Sequence, residues 1–366
     1  MTTQASSSRT KKFLLVINCI ILAIGNCGGP LITRLYFIKG GKRIWLSSWL
    51  QTVAWPIILI PLAFSYFNRR REFQGKIFEN NDNNNNNSKT KVILMTPWIF
   101  VSSIGIGVLI GFDNYLYAYG VAKLPVSTSA LLIASQLAFT AGFAFLLVKQ
   151  KFTSYSINSI FVLTLGAVVL ALHANGDRPN GEPKKEYVLG FIMTLGAAAL
   201  YGLILPLFEL LYKKAKQGIT YTLVLEIQAV YCLISTVVCT IGMIINKDFQ
   251  AMSREAKSFE LGEGRYYIVI IWSAIIWQCF FLGAIGVVYS SSSLVSGIVI
   301  TVLLPITEIL GVVFYGEKFT AEKGISLVLS IWGFISYLYG DIKASKVKTK
   351  NESQEQEMID KIICTP

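Results

Sequence analysis

Residues Phe13–Leu35 read FLLVINCIILAIGNCGGPLITRL, an apolar run in which the one charged residue, Arg34, lies next to the end. A helix needs about 20 apolar residues to cross the hydrocarbon core of a bilayer. The run is longer than the apolar core of a secretory signal peptide, and no small-residue cleavage pattern follows it. It predicts a first membrane span that is retained in the protein.

Nine more apolar runs of this kind follow along the chain. The 366-residue sequence is 53% apolar and 15% charged, whereas a soluble domain carries about 25% charged residues. We therefore predict an all-α integral membrane protein with ten transmembrane helices. Besides the span at about 13–35, the predicted spans lie at about 44–67, 94–118, 124–148, 155–173, 187–212, 219–245, 266–289, 292–315 and 321–340.

The distribution of basic residues predicts how the spans are oriented. The tails and loops on the side of the amino terminus carry 19 Lys and Arg residues, against 13 on the other side. Because cytoplasmic loops are enriched in Lys and Arg, and the number of spans is even, both termini should lie in the cytoplasm. The formal charge of +12 is therefore a topology signal, and it does not indicate a nucleic-acid partner.

Three polar segments are predicted to lie outside the spans. Residues 1–12 form a cytoplasmic amino-terminal tail, and residues 342–366 form a disordered cytoplasmic carboxy-terminal tail. Between the second and third spans, a loop at about 76–92 contains the asparagine tract NNDNNNNNSKT at residues 80–90. Such a segment cannot bury enough apolar surface to fold, so we expect it to be disordered.

Short sequence matches relate the two halves of the chain. A shift of 167 residues places Lys151–Thr153 on Lys318–Thr320, and a shift of 176 residues places Pro30 on Pro206. With five spans in each half, the second half enters the membrane in the opposite direction, as in secondary transporters whose substrate site lies near the midplane between two inverted repeats. The predicted inverted five-helix repeats are residues 13–175 and 187–341.

The third predicted span contains a carboxylate in an aromatic stretch, GFDNYLYAYG at residues 111–120. Helical spacing places Asp113, Tyr117 and Gly120 on one face, with Asn114 beside Tyr117. Ionisable residues inside a membrane are costly and usually functional, so this face is a candidate binding surface for a polar ligand and Asp113 a candidate proton carrier. The alternative is a structural network of hydrogen bonds between helices.

Two further carboxylates are candidates for proton coupling. Glu226 has no basic residue one helical turn away, and a carboxylate removed from water binds a proton more readily. It is therefore the first candidate for the proton-coupling group, with Glu308, near the middle of the ninth span, as a second. Glu209 differs from both, because Lys213 four residues later can form an ion pair with it.

Uncharged polar residues suggest what the ligand is. Asn26 precedes CGGP at residues 27–30, a run that should break or kink the first span and free backbone groups beside a cavity. Gln136 in the fourth span and Trp277-Gln278 in the eighth supply amides and a flat aromatic wall. A planar heterocycle would stack on Trp277 and bond the amides. The alternative for Trp277 is an anchor at the membrane interface.

Several function classes lack their sequence signals. The chain has one histidine, His173, and its cysteines show neither metal-ligand nor disulfide spacing. No Walker A motif or dinucleotide-binding motif is present, so ATP does not drive the protein directly, and we expect no cofactor, no metal and no enzymatic activity. A receptor with seven spans and a membrane-embedded transferase are the alternatives to a transporter.

Longer strings of sequence point to a family. INCIILAIGNCGGP at residues 17–30, GFDNYLY at residues 111–117 and IIWQ at residues 275–278 resemble the plant purine permease family of the drug/metabolite transporter superfamily, most of all its nicotine uptake permease-type members. The resemblance extends over the whole chain apart from the asparagine tract and the tails. Further matching strings are LPVST at 124–128, VKQKFT at 148–153, EYVLGFIMTLG at 186–196 and ITYT at 219–222.

This resemblance implies ten spans and proton-coupled uptake of purine bases and related planar nitrogen heterocycles, such as adenine, cytokinins and nicotine. The alternative is a dedicated alkaloid or vitamin B6 carrier with little purine transport. The expected partners are a small heterocycle, protons and the lipid bilayer. The expected location is the plasma membrane, with the vacuolar membrane as the alternative. The predicted substrate-binding residues are Asn26, Asn114, Tyr117, Gln136, Trp277 and Gln278, and the predicted proton-coupling residues are Glu226, Asp113 and Glu308.

Overall fold

The computed structural model of this chain describes most of the predicted spans. The asparagine tract at 80–90, His173 and residues 344–366 of the predicted carboxy-terminal tail lie outside the described residues. The described residues are 2–79, 94–124, 135–150, 152–172, 184–215, 217–315 and 331–340, with the positions 129, 132, 133, 321, 324, 325, 328, 329, 342 and 343.

The regular structure within these ranges is helical. The long helices are apolar over most of their surface, as expected of segments that contact lipid on one side and other helices on the other. The helices are α1 (Thr2–Ile38), α2 (Ile44–Leu50), a 3-10 helix (Trp55–Ile58), α3 (Leu59–Glu79), α4 (Pro97–Lys123), α5 (Gln136–Val148), α6 (Ser154–Leu172), α7 (Lys184–Lys214), α8 (Tyr221–Ile245), α9 (Asp248–Ser258), α10 (Glu263–Ser290) and α11 (Ser293–Tyr315), and residues 331–340 are also helical.

Seven of the described helical segments are long and apolar enough to cross a membrane, so the predicted all-helical membrane class is confirmed. The predicted spans at about 124–148, 155–173 and 321–340 contain α5, α6 and the helical residues 331–340, each close to residues outside the described ranges. The count of ten and the inverted repeats therefore stay predictions. The seven segments are Lys12–Ile38, Ile44–Arg71, Pro97–Lys123, Lys185–Lys214, Tyr221–Ile245, Glu263–Ser290 and Ser293–Tyr315.

The sequence predicts a break or a kink in the first span, and of these two the break does not occur, because α1 continues through Pro30 without interruption. Pro30 has no N–H to bond the carbonyl oxygen of Asn26, but the loss of one hydrogen bond does not end a helix that its neighbours support. The interruption lies in the second span instead. There α2 ends at Leu50, residues 51–54 form a turn, and the 3-10 helix begins at Trp55.

Glycines bring α1 and α10 into backbone contact, and these two share the most extensive interface among the described helices. A Cβ atom at Gly25 would overlap the backbone of Phe280, and a Cβ atom at Gly283 would overlap the backbone of Leu22. Small residues therefore set the approach of these helices, as is common where helices pack in membranes. The main core lies beside this contact, where side chains of α4, α7, α8 and α10 pack together.

A buried cluster of charged and phenolic groups joins the end of α1 to α9. Glu255 accepts hydrogen bonds from the hydroxyls of Tyr36, at 2.5 Å, and Tyr266, at 3.1 Å. Arg43 lies between two carboxylates, with Nε 3.6 Å from Glu255 Oε2 and Nη1 3.5 Å from Asp248 Oδ1. Burial raises the pKa of the Asp248 carboxyl, although the charge of Arg43 acts in the opposite direction. The cluster fixes α9 against the spans.

Candidate substrate-binding site

A cavity lies between the helices of the bundle. Sites for small organic molecules are concave and mostly apolar with a few polar groups, and the lining of this cavity has that character. Among the described helices, α1, α4, α5, α7, α10 and α11 line it, together with Gln51 in the second span and Ile133 just before α5. Its lining residues, among those that the structure describes, are Asn26, Pro30, Gln51, Asp113, Tyr117, Ile133, Gln136, Ala197, Ala198, Tyr201, Trp277, Phe280, Phe281, Ile300 and Leu304.

Aromatic rings form flat walls of this cavity. Tyr117 and Trp277 meet edge to face, with ring centroids 5.4 Å apart and ring planes at 77°. The indole Nε1 of Trp277 donates a hydrogen bond to Thr33 Oγ1 at 3.1 Å, which fixes the orientation of the ring. Gly29 leaves room for the indole, because a Cβ atom there would lie 3.0 Å from Trp277 Cε2. Trp277 is 5% exposed, so it is a buried wall residue and not an interface anchor.

Some polar atoms of the cavity residues lack partners. Asp113 Oδ1 and Gln136 Nε2 are buried and form no hydrogen bond with any residue that the structure describes. Asn26 is held in place, since its Nδ2 donates a hydrogen bond to the carbonyl oxygen of Ile300 at 3.3 Å. Buried polar atoms are normally paired, so unpaired atoms beside a cavity mark a place where a ligand or water binds.

Asp113 and Tyr117 share this cavity wall, as their spacing of four residues predicts. Of the described lining residues, Asp113 alone carries a carboxylate, and none carries a basic side chain. A charged carboxylate in such surroundings is costly, because no cation compensates for the water it has lost. A proton, or a hydrogen-bond donor on the ligand, would relieve that cost.

Asn114 and Gln278, two of the predicted substrate-binding residues, are absent from the described lining. Asn114 Nδ2 donates a hydrogen bond to Ser235 Oγ at 3.2 Å, and Gln278 Nε2 lies 3.9 Å from Cys232 Sγ. Each follows a lining residue in sequence but is turned by about 100° around the helix axis. Both side chains therefore reach α8 instead of the cavity.

Sequence reasoning missed two polar residues of the cavity, Gln51 and Tyr201. Gln51 lies at the break in the second span and is 3% exposed. The polar pair Gln51-Thr52, placed in an apolar run shortly before Pro56, was the signal that could have revealed it. Tyr201 lies on α7, one of 17 tyrosines in the chain, and no feature of the sequence distinguishes it from the others.

Glu226 is absent from the described lining and has a different environment. Its carboxylate accepts hydrogen bonds from the backbone N–H groups of Leu94, at 2.9 Å, and Met95, at 3.1 Å, directly before α4 begins. Arg69 of α3 lies near enough to act on the carboxylate electrostatically. These contacts are those of a residue that anchors the start of α4 on α8.

The two other acidic candidates lie on the helices α7 and α11. The backbone of Glu308 belongs to α11, and its side chain is outside the described part of the structure. Glu209 forms the predicted ion pair, with Lys213 Nζ 2.9 Å from Oε1. Its Oε2 accepts hydrogen bonds from the N–H and the hydroxyl of Ser293, at 2.7 and 2.5 Å, where α11 begins. The structural role predicted for Glu209 is therefore confirmed.

The match to known proteins covers nearly the whole chain. A family model described as purine nucleobase transmembrane transport matches residues 13–347. The chain belongs to the purine permease family. This permease is 56% identical over 349 residues to purine permease 3 of Arabidopsis thaliana, with 94% of this chain and 96% of that protein covered. It is 52% identical over 358 residues to purine permease 2 of the same plant, with 95% and 97% covered, and 33% identical over 362 residues to purine permease 21, with 98% and 89% covered.

Membership of this family decides between the classes that the sequence left open. The family transports purine nucleobases across membranes, so the permease is an integral membrane transporter and not an enzyme. The receptor and transferase alternatives are therefore wrong. The matched residues include every described lining residue of the cavity. The cavity is thus the candidate substrate site of this transporter.

Proposed function

We propose that the permease imports purine bases and related planar nitrogen heterocycles together with protons. The observation that carries this proposal is one cavity in which aromatic walls meet buried donors and acceptors that no described residue pairs. The substrates of the proposal are adenine, cytokinins and alkaloids such as nicotine, all of which combine a flat ring with ring nitrogens.

The walls of the cavity match such a molecule in shape and in chemistry. A flat ring fits against Trp277 and Tyr117, whose edge-to-face packing leaves the indole held at a fixed angle. The amide of Gln136 can donate to a ring nitrogen, and Asp113 can accept from an N–H of the heterocycle. A site built from buried polar groups rejects molecules that leave those groups unpaired, which gives selectivity for nitrogen heterocycles over plain aromatics.

We assign the transported proton to Asp113. Its carboxylate lines the cavity without a basic residue among the described lining, so its charged form is costly and protonation relieves the cost. If the protonated, substrate-bound permease favours one gated state and the empty, charged permease favours the other, the movement of the substrate is coupled to the movement of the proton. The binding of substrate and of the proton at one cavity makes that coupling direct.

Glu226 and Glu308 stay predicted proton-coupling residues on the evidence of the sequence. The contacts of Glu226 with Leu94 and Met95 support an anchoring role in preference to proton transfer. Glu308 lies on α11, the helix that also supplies Ile300 and Leu304 to the cavity.

We further propose ten spans in two inverted repeats, with the permease in the plasma membrane. Both termini lie in the cytoplasm in this proposal, because the basic residues favour that orientation.

Uptake of labelled adenine into cells that express the permease tests the proposal. The measurement is made at acidic external pH, with and without a protonophore, and with an excess of unlabelled nicotine as competitor. We expect saturable uptake that collapses with the protonophore and is inhibited by nicotine, because one cavity would receive both heterocycles. Cells that carry the empty vector give the background.

Two results would reject parts of the proposal. Unchanged uptake in the presence of the protonophore would reject proton coupling, and absence of adenine uptake despite permease at the cell surface would reject purines as substrates. In the second case, saturable uptake of labelled nicotine or pyridoxine would establish the dedicated alkaloid or vitamin B6 carrier instead.

A further inference from the structure

The break in the second span places an amide at the cavity. Gln51 is the first residue after α2, and the chain turns through residues 51–54 before the 3-10 helix begins. Interrupted spans are where transporters expose backbone and polar groups to their substrates. Gln51 lines the cavity and is 3% exposed, so its amide lies inside the protein and not in the lipid.

The hydrogen bond that the amide of Gln51 forms with a described residue decides which of its two polar atoms can bind a ligand. Gln51 Nε2 donates to the backbone carbonyl oxygen of Asn114 at 3.3 Å. A carbonyl oxygen can only accept a hydrogen bond, so the NH₂ group must face Asn114 and the assignment of the two amide atoms follows from chemistry. The acceptor Oε1 is the remaining group, and no residue in the described part of the chain donates to it.

The surrounding residues hold the break rigidly. The hydroxyl of Thr52, the next residue, accepts a hydrogen bond from Thr236 Oγ1 at 3.1 Å and lies 3.4 Å from Ser235 Oγ. Ser235 in turn accepts a hydrogen bond from Asn114 Nδ2 at 3.2 Å. The break is therefore tied to both α4 and α8, and Gln51 Oε1 is preorganised before any ligand binds. Preorganised polar groups are the ones that confer selectivity.

We propose that Gln51 is a specificity-determining residue whose Oε1 accepts a hydrogen bond from an N–H group of the transported heterocycle. The inference rests on the proposed function, and it adds to the cavity an acceptor that carries no charge and needs no proton. Together with the donor Nε2 of Gln136, this acceptor lets the site bind selectively a ring edge that carries both a hydrogen-bond donor and a hydrogen-bond acceptor.

Competition against labelled adenine uptake tests this inference with two analogues, each of which lacks one donor of adenine. Unsubstituted purine lacks the exocyclic amino group, and 9-methyladenine lacks the ring N–H at position 9. The variant is Gln51→Met, which keeps the length of the side chain and removes the acceptor. The unmodified permease should prefer adenine to the analogue that lacks the donor read by Gln51. In the variant, that preference should fall by about fivefold, the value of one neutral hydrogen bond.

Thr52→Val is the matched control, because it disturbs the same break at a residue that is absent from the described lining. It should change the affinity for adenine and for both analogues by the same factor. If Gln51→Met leaves both preference ratios at their original values, the inference is wrong and Gln51 only supports the fold. Gln51→Leu repeats the measurement if the methionine variant does not reach the cell surface. An unmodified permease that takes up no adenine overturns the proposed function, and this inference with it.

Discussion

The substitution Glu226→Gln separates an anchoring role of this carboxylate from a proton-coupling role. Glu226 Oε2 accepts hydrogen bonds from two backbone N–H groups, of Leu94 at 2.9 Å and Met95 at 3.1 Å. The glutamine oxygen can still accept both hydrogen bonds, but they lose the assistance of the charge. A hydrogen bond to a charged group contributes about 1.5–3 kcal/mol and a neutral one about 0.5–1.5 kcal/mol, so the loss is about 1 kcal/mol for each N–H, or about 2 kcal/mol in all. The melting temperature should therefore fall by a few degrees.

The assay uses the purified permease in two measurements. Thermal unfolding in detergent reports the loss of stability, and uptake into proteoliposomes with an imposed pH gradient reports accumulation. We expect Glu226→Gln to melt a few degrees lower and still to accumulate adenine. Glu263→Gln, which removes an exposed carboxylate from the first turn of α10, is the matched control; it should leave accumulation unchanged and cost at most about 1 kcal/mol through the helix dipole. An unchanged melting temperature together with lost accumulation and intact exchange would refute the anchoring role and establish Glu226 as the proton-coupling group.

Two further predictions concern packing and pH. Gly25→Ala places a Cβ atom on the backbone of Phe280 and should destabilise the permease by about 1–3 kcal/mol or more. The melting temperature measures this loss. Gly105→Ala is the control and should be neutral, because a Cβ atom at Gly105 meets nothing within 4 Å. Burial raises the pKa of Asp248, so this group binds a proton more readily in the folded permease than in the unfolded chain. Its contribution to stability therefore falls as the pH rises from the unfolded pKa to the folded pKa. Asp248→Asn should therefore melt higher than the parent at pH 7, and the difference should vanish as the pH falls to about 4, near the pKa of an unfolded aspartate; a constant difference across this range would contradict the assignment.

The sequence predicts the parts of this structure that depend on local periodicity. Long apolar runs predict the helices, because backbone groups in a membrane must pair within their own segment. The spacing of Asp113 and Tyr117 predicts their shared wall, and the depth of Trp277 in its span argues against an anchor at the membrane interface. These features follow from the position of a residue along one helix, which the sequence contains directly.

Features that depend on a second helix were not predictable in the same way. Gly28 and Gly29, with Pro30, were interpreted as a helix break or kink, whereas Gly29 provides space for Trp277 on α10, as Gly25 does for Phe280. Asn114 is a predicted substrate-binding residue, but the sequence did not reveal that its amide donates a hydrogen bond to Ser235 on α8. A single sequence shows that a residue is small or polar, while the tertiary neighbour decides what that property is used for.

Whether the cavity carboxylate couples transport to protons is tested most directly by the accumulation of labelled adenine under an imposed gradient of one pH unit, compared between the reconstituted permease and its Asp113→Asn variant. With the membrane potential held at zero, one proton carried with each neutral substrate supports at most about tenfold accumulation under that gradient. We expect accumulation toward that limit by the parent, and exchange of adenine without accumulation by the variant. Accumulation by Asp113→Asn equal to that of the parent would contradict the claim that the cavity carboxylate couples transport to protons.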